Sequence, residues 1–190
     1  MRDAMACAAT AVAAVFVLAA CPDAVEAPPA FTAALFFEKA LLVALLVAAA
    51  FVDARRRIIP NAIPAGVIGL HAVFIPVLAV AGGPGAAPSV GAAIVGLVAL
   101  GGGVLVFTLA YEAIVPGPVL GGGDIKLIAA LGFALGWERG LLVVMLACMA
   151  FACWAAASAI RARLQGRKTP RAFPFAPSIA VGIWVLFALA

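Results

Sequence analysis

The number and length of its apolar stretches limit what this chain can fold into. The hydrocarbon core of a bilayer is about 30 Å thick, and a helix needs roughly 20 apolar residues to cross it. Hydrophobic residues make up 67% of the 190 and charged residues only 11%, which excludes an ordinary soluble domain. Six stretches fit the template of a spanning helix to varying degrees, and a seventh lies at the N-terminus: 33–52, 62–80, 89–110, 125–137, 140–160, 173–190 and 4–20.

These stretches predict an all-α fold, a polytopic membrane helix bundle. Residues 33–190 would form one membrane-embedded domain with a six-helix core. Residues 1–32 would form an N-terminal apolar segment followed by an external linker. That segment reads either as a seventh helix or as a signal-like sequence.

The basic residues predict the orientation of the bundle. They cluster at 55–57 and at 161–171, and basic loops face the cytoplasm in membrane proteins. Four predicted crossings separate the two clusters, so both can lie on that side. The loop 81–89 and the turn 137–140 would then be external. These basic clusters indicate membrane topology, and no nucleic-acid partner is expected.

Two aspartates border the bilayer on the predicted cytoplasmic side. Asp53 ends the stretch 33–52, and Asp124 precedes the stretch 125–137, so both lie at similar depth. Each has a structural interpretation, since Asp53 could pair with the arginines that follow it and Asp124 could cap a helix. Ionisable residues at membrane depth are nevertheless functional candidates by default.

The segment around Asp124, "GGGDIKLIAALG" (121–132), predicts a loop that dips into the protein. The stretch 125–137 would form a helix of about 20 Å, which is too short for the core and draws its N-terminal loop inward. The glycines before the aspartate would allow close backbone approach to a neighbour or a substrate. They are Gly121, Gly122 and Gly123, and the small residues Gly132 and Gly136 would pack against another helix further along.

The segment after Asp53 predicts a stiff connection to the next helix. Pro60 restricts where Asp53 can point, and Asn61 can cap the helix that starts at Ala62. Two neighbouring carboxylates can share one proton, with one ionised as a base and the other protonated as an acid. Lys126 would help to keep such a pair partly ionised, or would serve as an interfacial anchor.

The two segments resemble a known family. "DARRRIIPN" (53–61) and "GGGDIKLIAALG" (121–132) are similar to the two signature motifs of the prepilin peptidases, the type IV leader peptidase family, which are polytopic GxGD-type aspartic proteases. Asp53 and Asp124 match the catalytic aspartates of that family, and Gly121 and Gly123 match its glycines. "FPFAPSIAVG" (173–182) is similar to the start of the last helix in that family.

The resemblance implies an activity and a location. The substrate would be a type IV prepilin or pseudopilin, cut between a short basic leader and the apolar helix that follows. The active site would face the cytoplasm from a bacterial inner membrane, with the lipid bilayer as surroundings and without a metal or cofactor. Because the sequence has no CxxC pair, N-methyltransferase activity is not expected, and its length resembles the peptidase-only members of Flp (tight-adherence) pilus systems.

Other residues and rival functions complete the predictions. Glu112 is predicted to be either an exosite for a basic leader or part of a solvated helix end. His71 is predicted to be an interhelical hydrogen-bond partner. The four cysteines read as small packing residues. A small proton- or cation-coupled transporter and a non-catalytic pilus-assembly scaffold remain alternatives, although a transporter would place its carboxylates nearer the midplane.

Overall fold

All the regular secondary structure in the described part of the chain is helical. The computed structural model describes residues 28–83, 89–115, 120–166 and 175–189. The helices are α1 (Pro29–Arg56), α2 (Ala62–Gly82), α3 (Val90–Leu97), a π-helical segment (Val98–Gly102), α4 (Gly103–Ile114), α5 (Gly122–Leu164) and α6 (Ala176–Leu189). The predicted N-terminal stretch 4–20 lies outside the described residues.

The helices have the length and composition of membrane spans. Four of those described are long and apolar enough to cross a bilayer, namely α1, α2, the continuous run Val90–Ile114 and α5, and α6 is a shorter apolar helix. The all-α membrane bundle predicted from the sequence is therefore confirmed. Helix α1 extends beyond the predicted stretch 33–52 at both ends, which places Asp53 inside its last turn.

A chain reversal divides α5 into two antiparallel halves. Gly136 has φ 77° and ψ 172°, a combination that is essentially restricted to glycine. A β-carbon on Gly140 would lie 3.5 Å from Gly132 Cα, whereas eight residues of straight helix span about 12 Å. The chain therefore folds back at Gly136, between α5a (122–135) and α5b (137–164).

The predicted turn at 137–140 is wrong in position. Residues 137–140 are helical and begin α5b, and the reversal takes place at Gly136. The charged pair Glu138 and Arg139 suggested a polar turn, but both side chains are accommodated at a helix start. The chain turns at Gly136 because glycine alone adopts this positive-φ conformation without strain.

Glycines allow α5a to pack directly on its neighbours. Gly132 contacts Gly96 of α3 backbone to backbone, and a β-carbon on either residue would overlap the carbonyl oxygen of the other. The predicted small-residue face is confirmed at Gly132 but is wrong for Gly136, which ends α5a with a non-helical backbone and has no atom within 4 Å of its β-carbon position. In the triple glycine 101–103, Gly101 is the packed member, since a β-carbon there would lie 2.5 Å from Ala129 Cβ.

The core is built around α5a. Its residues Leu127, Ile128 and Leu131 are fully buried, and they join a cluster formed with α1 and α6, which includes Leu46 and Ile183. Helix α5 contacts α2, α3 and α6, while α1 contacts α2 and α6. The short helix that carries Asp124 is therefore surrounded by protein.

Two side-chain predictions can be compared with the fold. His71 contacts Glu38 of α1 through a hydrogen bond from α2, so its role as an interhelical partner is confirmed. The packing role of the cysteines is wrong for Cys148 and Cys153, which are exposed on α5b. A thiol on the outer, lipid-facing side of a bundle is a small apolar group in apolar surroundings, so it gains nothing from burial. Cys7 and Cys21 lie outside the described residues.

Candidate active site

Asp53 is held by the N-terminus of the last helix. It lies in the last turn of α1 and is 6% exposed. Its Oδ2 accepts a hydrogen bond of 3.1 Å from the backbone N–H of Ala176, the first residue of α6. A carboxylate at a helix N-terminus satisfies a backbone donor that has no partner within the helix.

The predicted alternative, in which Asp53 pairs with the following arginines, is wrong. Within the described residues Asp53 forms no ion pair with an arginine. The guanidinium of Arg55 lies over the Phe51 ring instead, 4.0 Å from its centroid. Arg57 ends α1 in the left-handed conformation, with φ 55°, and turns the chain away from the helix axis. The aspartate points into the bundle while its basic neighbours stay exposed.

The connection between α1 and α2 packs against the glycines before Asp124. Ile59 is buried in this connection. A β-carbon on Gly123 would lie 3.0 Å from Ile59 Cβ and 3.2 Å from the Ile59 carbonyl oxygen. The two sequence motifs are therefore in direct contact, and Gly123 is the residue that permits this contact.

Asp124 lies in the first turn of α5, not at the capping position. The helix begins at Gly122, Gly121 is the N-cap residue, and the Asp124 N–H donates to the Gly121 carbonyl at 2.9 Å. The predicted N-cap role is wrong because the helix starts at Gly122, three residues before the apolar stretch 125–137. An acidic side chain in the first turn still interacts favourably with the helix dipole.

The Asp124 carboxylate has one oxygen against the glycine loop and one open oxygen. A β-carbon on Gly121 would lie 3.0 Å from Asp124 Oδ2, so this glycine leaves room for the carboxylate. Oδ1 is buried and accepts no hydrogen bond from any of the described residues. A buried acceptor without a partner is costly, so such atoms are often reserved for a function.

The two carboxylates lie at one end of the bundle, because Gly123, the residue before Asp124, packs against Ile59 in the connection that follows α1. Three helix ends meet there: the C-terminus of α1, the N-terminus of α6 and the N-terminus of α5. Two nearby carboxyl groups, one fixed by a main-chain donor and one with an open oxygen, have what acid–base chemistry on a bound substrate requires. Among the described residues, no group of three or more His, Cys, Asp or Glu side chains could hold a metal ion.

Lys126 joins the two motifs at the exposed side of this site. Its Nζ donates a hydrogen bond of 2.9 Å to Asn61 Oδ1. Helix α2 does start at Ala62, as predicted, but the Asn61 side chain makes no capping bond. The capping prediction is wrong because the amide oxygen of Asn61 binds the lysine instead.

Three predicted site residues remain, namely Gly122, Pro60 and Glu112. Gly122 has no atom within 4 Å of where its β-carbon would be, so close approach requires Gly123 and Gly121 but not this residue. Pro60 is exposed, and its carbonyl accepts from the Ile63 N–H. Glu112 is half-buried near the C-terminal end of α4, on another helix from either aspartate.

Two contributions to the site were missed from the sequence. The Ala176 N–H is a backbone donor and carries no side-chain signal, although Pro177 beside it is typical of a helix start. Ile59 reads as one apolar residue among several. Neither residue type indicates by itself which partner it will meet.

Comparison with known proteins identifies the family of this chain. The sequence profile of the type IV leader peptidase family matches residues 40–156, a range that contains both aspartates. The chain belongs to this family. The family predicted from the two motifs is thereby confirmed.

One curated relative is similar over most of the chain. The prepilin leader peptidase/N-methyltransferase of Bacillus subtilis (strain 168) is 34% identical over 146 residues, which cover 77% of this chain and 53% of that protein. The chain thus matches about half the length of that family member. No solved structure matches the chain.

Proposed function

We propose that this protein is a membrane aspartic endopeptidase that removes the short basic leader of type IV or Flp prepilins. Asp53 and Asp124 would be its catalytic residues, and the cut would be made at the cytoplasmic face of a bacterial inner membrane. The observation that carries the proposal is the meeting of the two carboxylates, from α1 and α5, at one end of the bundle. The family to which the chain belongs supports it.

The chemistry follows from two carboxyl groups that share one proton. The ionised group takes a proton from a water molecule, whose oxygen attacks the carbonyl carbon of the peptide bond. The protonated group donates its proton to the carbonyl oxygen. As the tetrahedral intermediate collapses, the C–N bond breaks and the leaving nitrogen takes the proton that the first aspartate had accepted from water. One hydroxyl of the intermediate returns its proton to the other aspartate as the carbonyl of the new carboxyl group forms, so the pair again shares one proton.

The surrounding residues would position the substrate. Gly121 and Gly123 keep the loop close to Asp124 and Ile59, which leaves the open Oδ1 of Asp124 for the substrate or the attacking water. Lys126 and Asn61 would shape the exposed side of the site through their hydrogen bond. Glu112 is a candidate contact for the basic residues of the leader, since opposite charges attract across a short distance.

Cleavage of a co-expressed Flp-type prepilin tests the proposal. The wild-type protein should convert the precursor to a faster-migrating mature form on a gel. Asp53→Asn and Asp124→Asn keep the size of each side chain and should abolish this conversion at unchanged abundance in the membrane. Processing at a near wild-type rate by either variant would refute the two-aspartate mechanism. Absence of processing by the wild type as well would favour a non-catalytic scaffold.

The orientation and the expected absence of methyl transfer can be tested separately. Ile58 is 68% exposed beside the site, so a cysteine placed there in a cysteine-free chain reports which side the site faces. A membrane-impermeant maleimide should label it in inverted inner-membrane vesicles and not in intact spheroplasts; the reverse pattern would contradict the topology. Mass spectrometry of the mature pilin should show an unmethylated N-terminal amine.

A further inference from the structure

A buried polar pair lies far from the aspartates and has no part in the proposed chemistry. Glu38 of α1 and His71 of α2 are 2% and 3% exposed, and His71 Nδ1 contacts Glu38 Oε1 through a hydrogen bond. The Lys39 Nζ lies 3.2 Å from the other carboxylate oxygen. Glu38 precedes Asp53 by 15 residues in the same helix, so it lies roughly 22 Å away along the axis.

The pair connects the three helices that carry the active-site motifs. Glu38 shares α1 with Asp53, and His71 belongs to α2, which follows Asn61. The His71 ring also meets the edge of Phe133 at a centroid distance of 5.6 Å. Phe133 belongs to α5a, the half-helix that begins beside Asp124.

We propose that the Glu38–His71 pair is a positioning element that fixes the axial register of α1 against α2, and that the His71 ring, held by this bond, places Phe133 and with it α5a. It thereby sets where Asp53 lies relative to Asp124. Only its effect on cleavage rests on the function proposed above. The placement of the helices is independent of that function.

The physical reason is the difference between apolar and polar contacts in a membrane. Apolar side chains lose little when one helix slides along another, because lipid tails are as apolar as the side chains they replace. A buried carboxylate that loses its partner is far more costly than a lost apolar contact. A buried polar pair therefore admits one register, as single buried asparagines do in coiled coils.

A disulfide between the two motifs measures the register without using catalysis. A β-carbon at Gly123 would lie 3.0 Å from Ile59 Cβ, so a displacement of about half an ångström, which a cysteine at position 123 imposes in every variant alike, brings the pair into the 3.5–4.5 Å range that disulfides bridge. In a chain whose four natural cysteines are replaced by alanine, Ile59→Cys and Gly123→Cys should therefore cross-link readily on mild oxidation in native vesicles. Thiols left free are counted by a gel shift with maleimide-polyethylene glycol.

Three changes at the pair separate register from other effects. Glu38→Gln retains an oxygen that accepts from His71. His71→Phe retains a ring against Phe133 and leaves Glu38 beside Lys39, but removes the hydrogen bond. Glu38→Leu with His71→Leu removes both polar groups, so neither is left buried without a partner, a change that membrane and soluble cores often tolerate.

We expect Glu38→Gln to cross-link at the wild-type rate and the other two variants to cross-link at least about threefold more slowly. In chains that keep Ile59 and Gly123, prepilin cleavage should fall by about tenfold or more in the same two variants, since small displacements of reacting groups are costly. Glu38→Gln should cleave normally. Membrane abundance is measured for every variant.

Wild-type cross-linking by an accumulating His71→Phe or leucine-pair variant would overturn the proposal. If the leucine pair fails to accumulate, the outcome for His71→Phe decides. Slower cross-linking in a protein that never cleaves prepilin would uphold the register and reject the proposed function. Wild-type cross-linking by these variants of a protein that does cleave prepilin would reject the register proposal and uphold the proposed function.

Discussion

Gly123 packs directly against the segment that follows Asp53. A side chain at position 123 would crowd Ile59, because its β-carbon would lie 3.0 Å from Ile59 Cβ and 3.2 Å from the Ile59 carbonyl oxygen. Position 123 needs glycine because glycine has no side chain, not because its backbone is flexible. The contact joins the start of α5 to the connection between α1 and α2.

Gly123→Ala should therefore lower the cleavage rate by about 10- to 100-fold, because a displacement of the loop by a fraction of an ångström moves Asp124. Gly103→Ala is the matched control, since no atom lies within 4 Å of its β-carbon position. Initial rates in vesicles, normalised to enzyme amount, compare the two. Equal rates in the two variants would show that the close contact is not needed.

The hydrogen bond between Lys126 and Asn61 is a second link between the motifs. Both side chains are exposed, so the bond contributes modestly to stability but can hold the two segments in place. A double-mutant cycle distinguishes the effect of this hydrogen bond from the effects that each residue has on its own.

Asn61→Ala and Lys126→Ala should each reduce the cleavage rate roughly three- to tenfold, the size expected for one hydrogen bond. The double variant should be no slower than the slower single variant, because the same bond is lost in all three. Multiplicative losses would mean that the two residues act independently, for example on the substrate.

At the scale of the helices, α6 acts on the site through its first residue. The Ala176 N–H is the donor that fixes Asp53 Oδ2, so a helix distant in sequence completes the site. This contact makes the start of α6 as important as either signature motif.

Ala176→Pro removes this donor at a helix position where proline is well tolerated, and its ring would also crowd Asp53. Cleavage should fall by about 10- to 100-fold while membrane abundance is retained. Ala176→Gly keeps the N–H and is the control, expected to stay within about threefold of wild type. A fully active proline variant would contradict the role assigned to α6.

Helix boundaries that depend on local sequence patterns were predicted better than contacts between distant residues. Helix α2 began where the apolar pattern predicted, because that signal is local, although Asn61 makes no capping bond there. The break in α5 lies at Gly136, one residue before the predicted turn at 137–140. The prediction relied on the charged residues of that turn, whereas the break depends on the backbone conformation of a glycine. The contact of Ala176 with Asp53 joins residues 123 apart, and no local pattern encodes it.

At the scale of the whole molecule, the distribution of polar groups fits a bilayer. Large apolar side chains cover the outer surface, for example Val80, Val106 and Met149 at 88%, 65% and 64% exposure. The buried polar groups of the described residues include Glu38, Asp53 and His71. Because a bilayer offers no partner to a polar group, polar side chains are directed inward.

The sequence located the two aspartates but not the pair that we propose to position them. Asp53 and Asp124 stood out because each interrupts an apolar chain beside a motif. Glu38 was missed because Lys39 follows it, and an adjacent acid and base near the start of a helix resemble an interfacial pair. His71 in another apolar stretch was the available signal for its partner.

The measurement that tests the central claim most directly is a kinetic cycle on the two aspartates. Wild type, Asp53→Asn, Asp124→Asn and the double variant would be reconstituted in vesicles, and cleavage of a purified prepilin would be timed. Groups that act as one unit are not additive, so each single variant should be as inactive as the double variant. A double variant much slower than both active single variants would show two independent contributions and contradict the account.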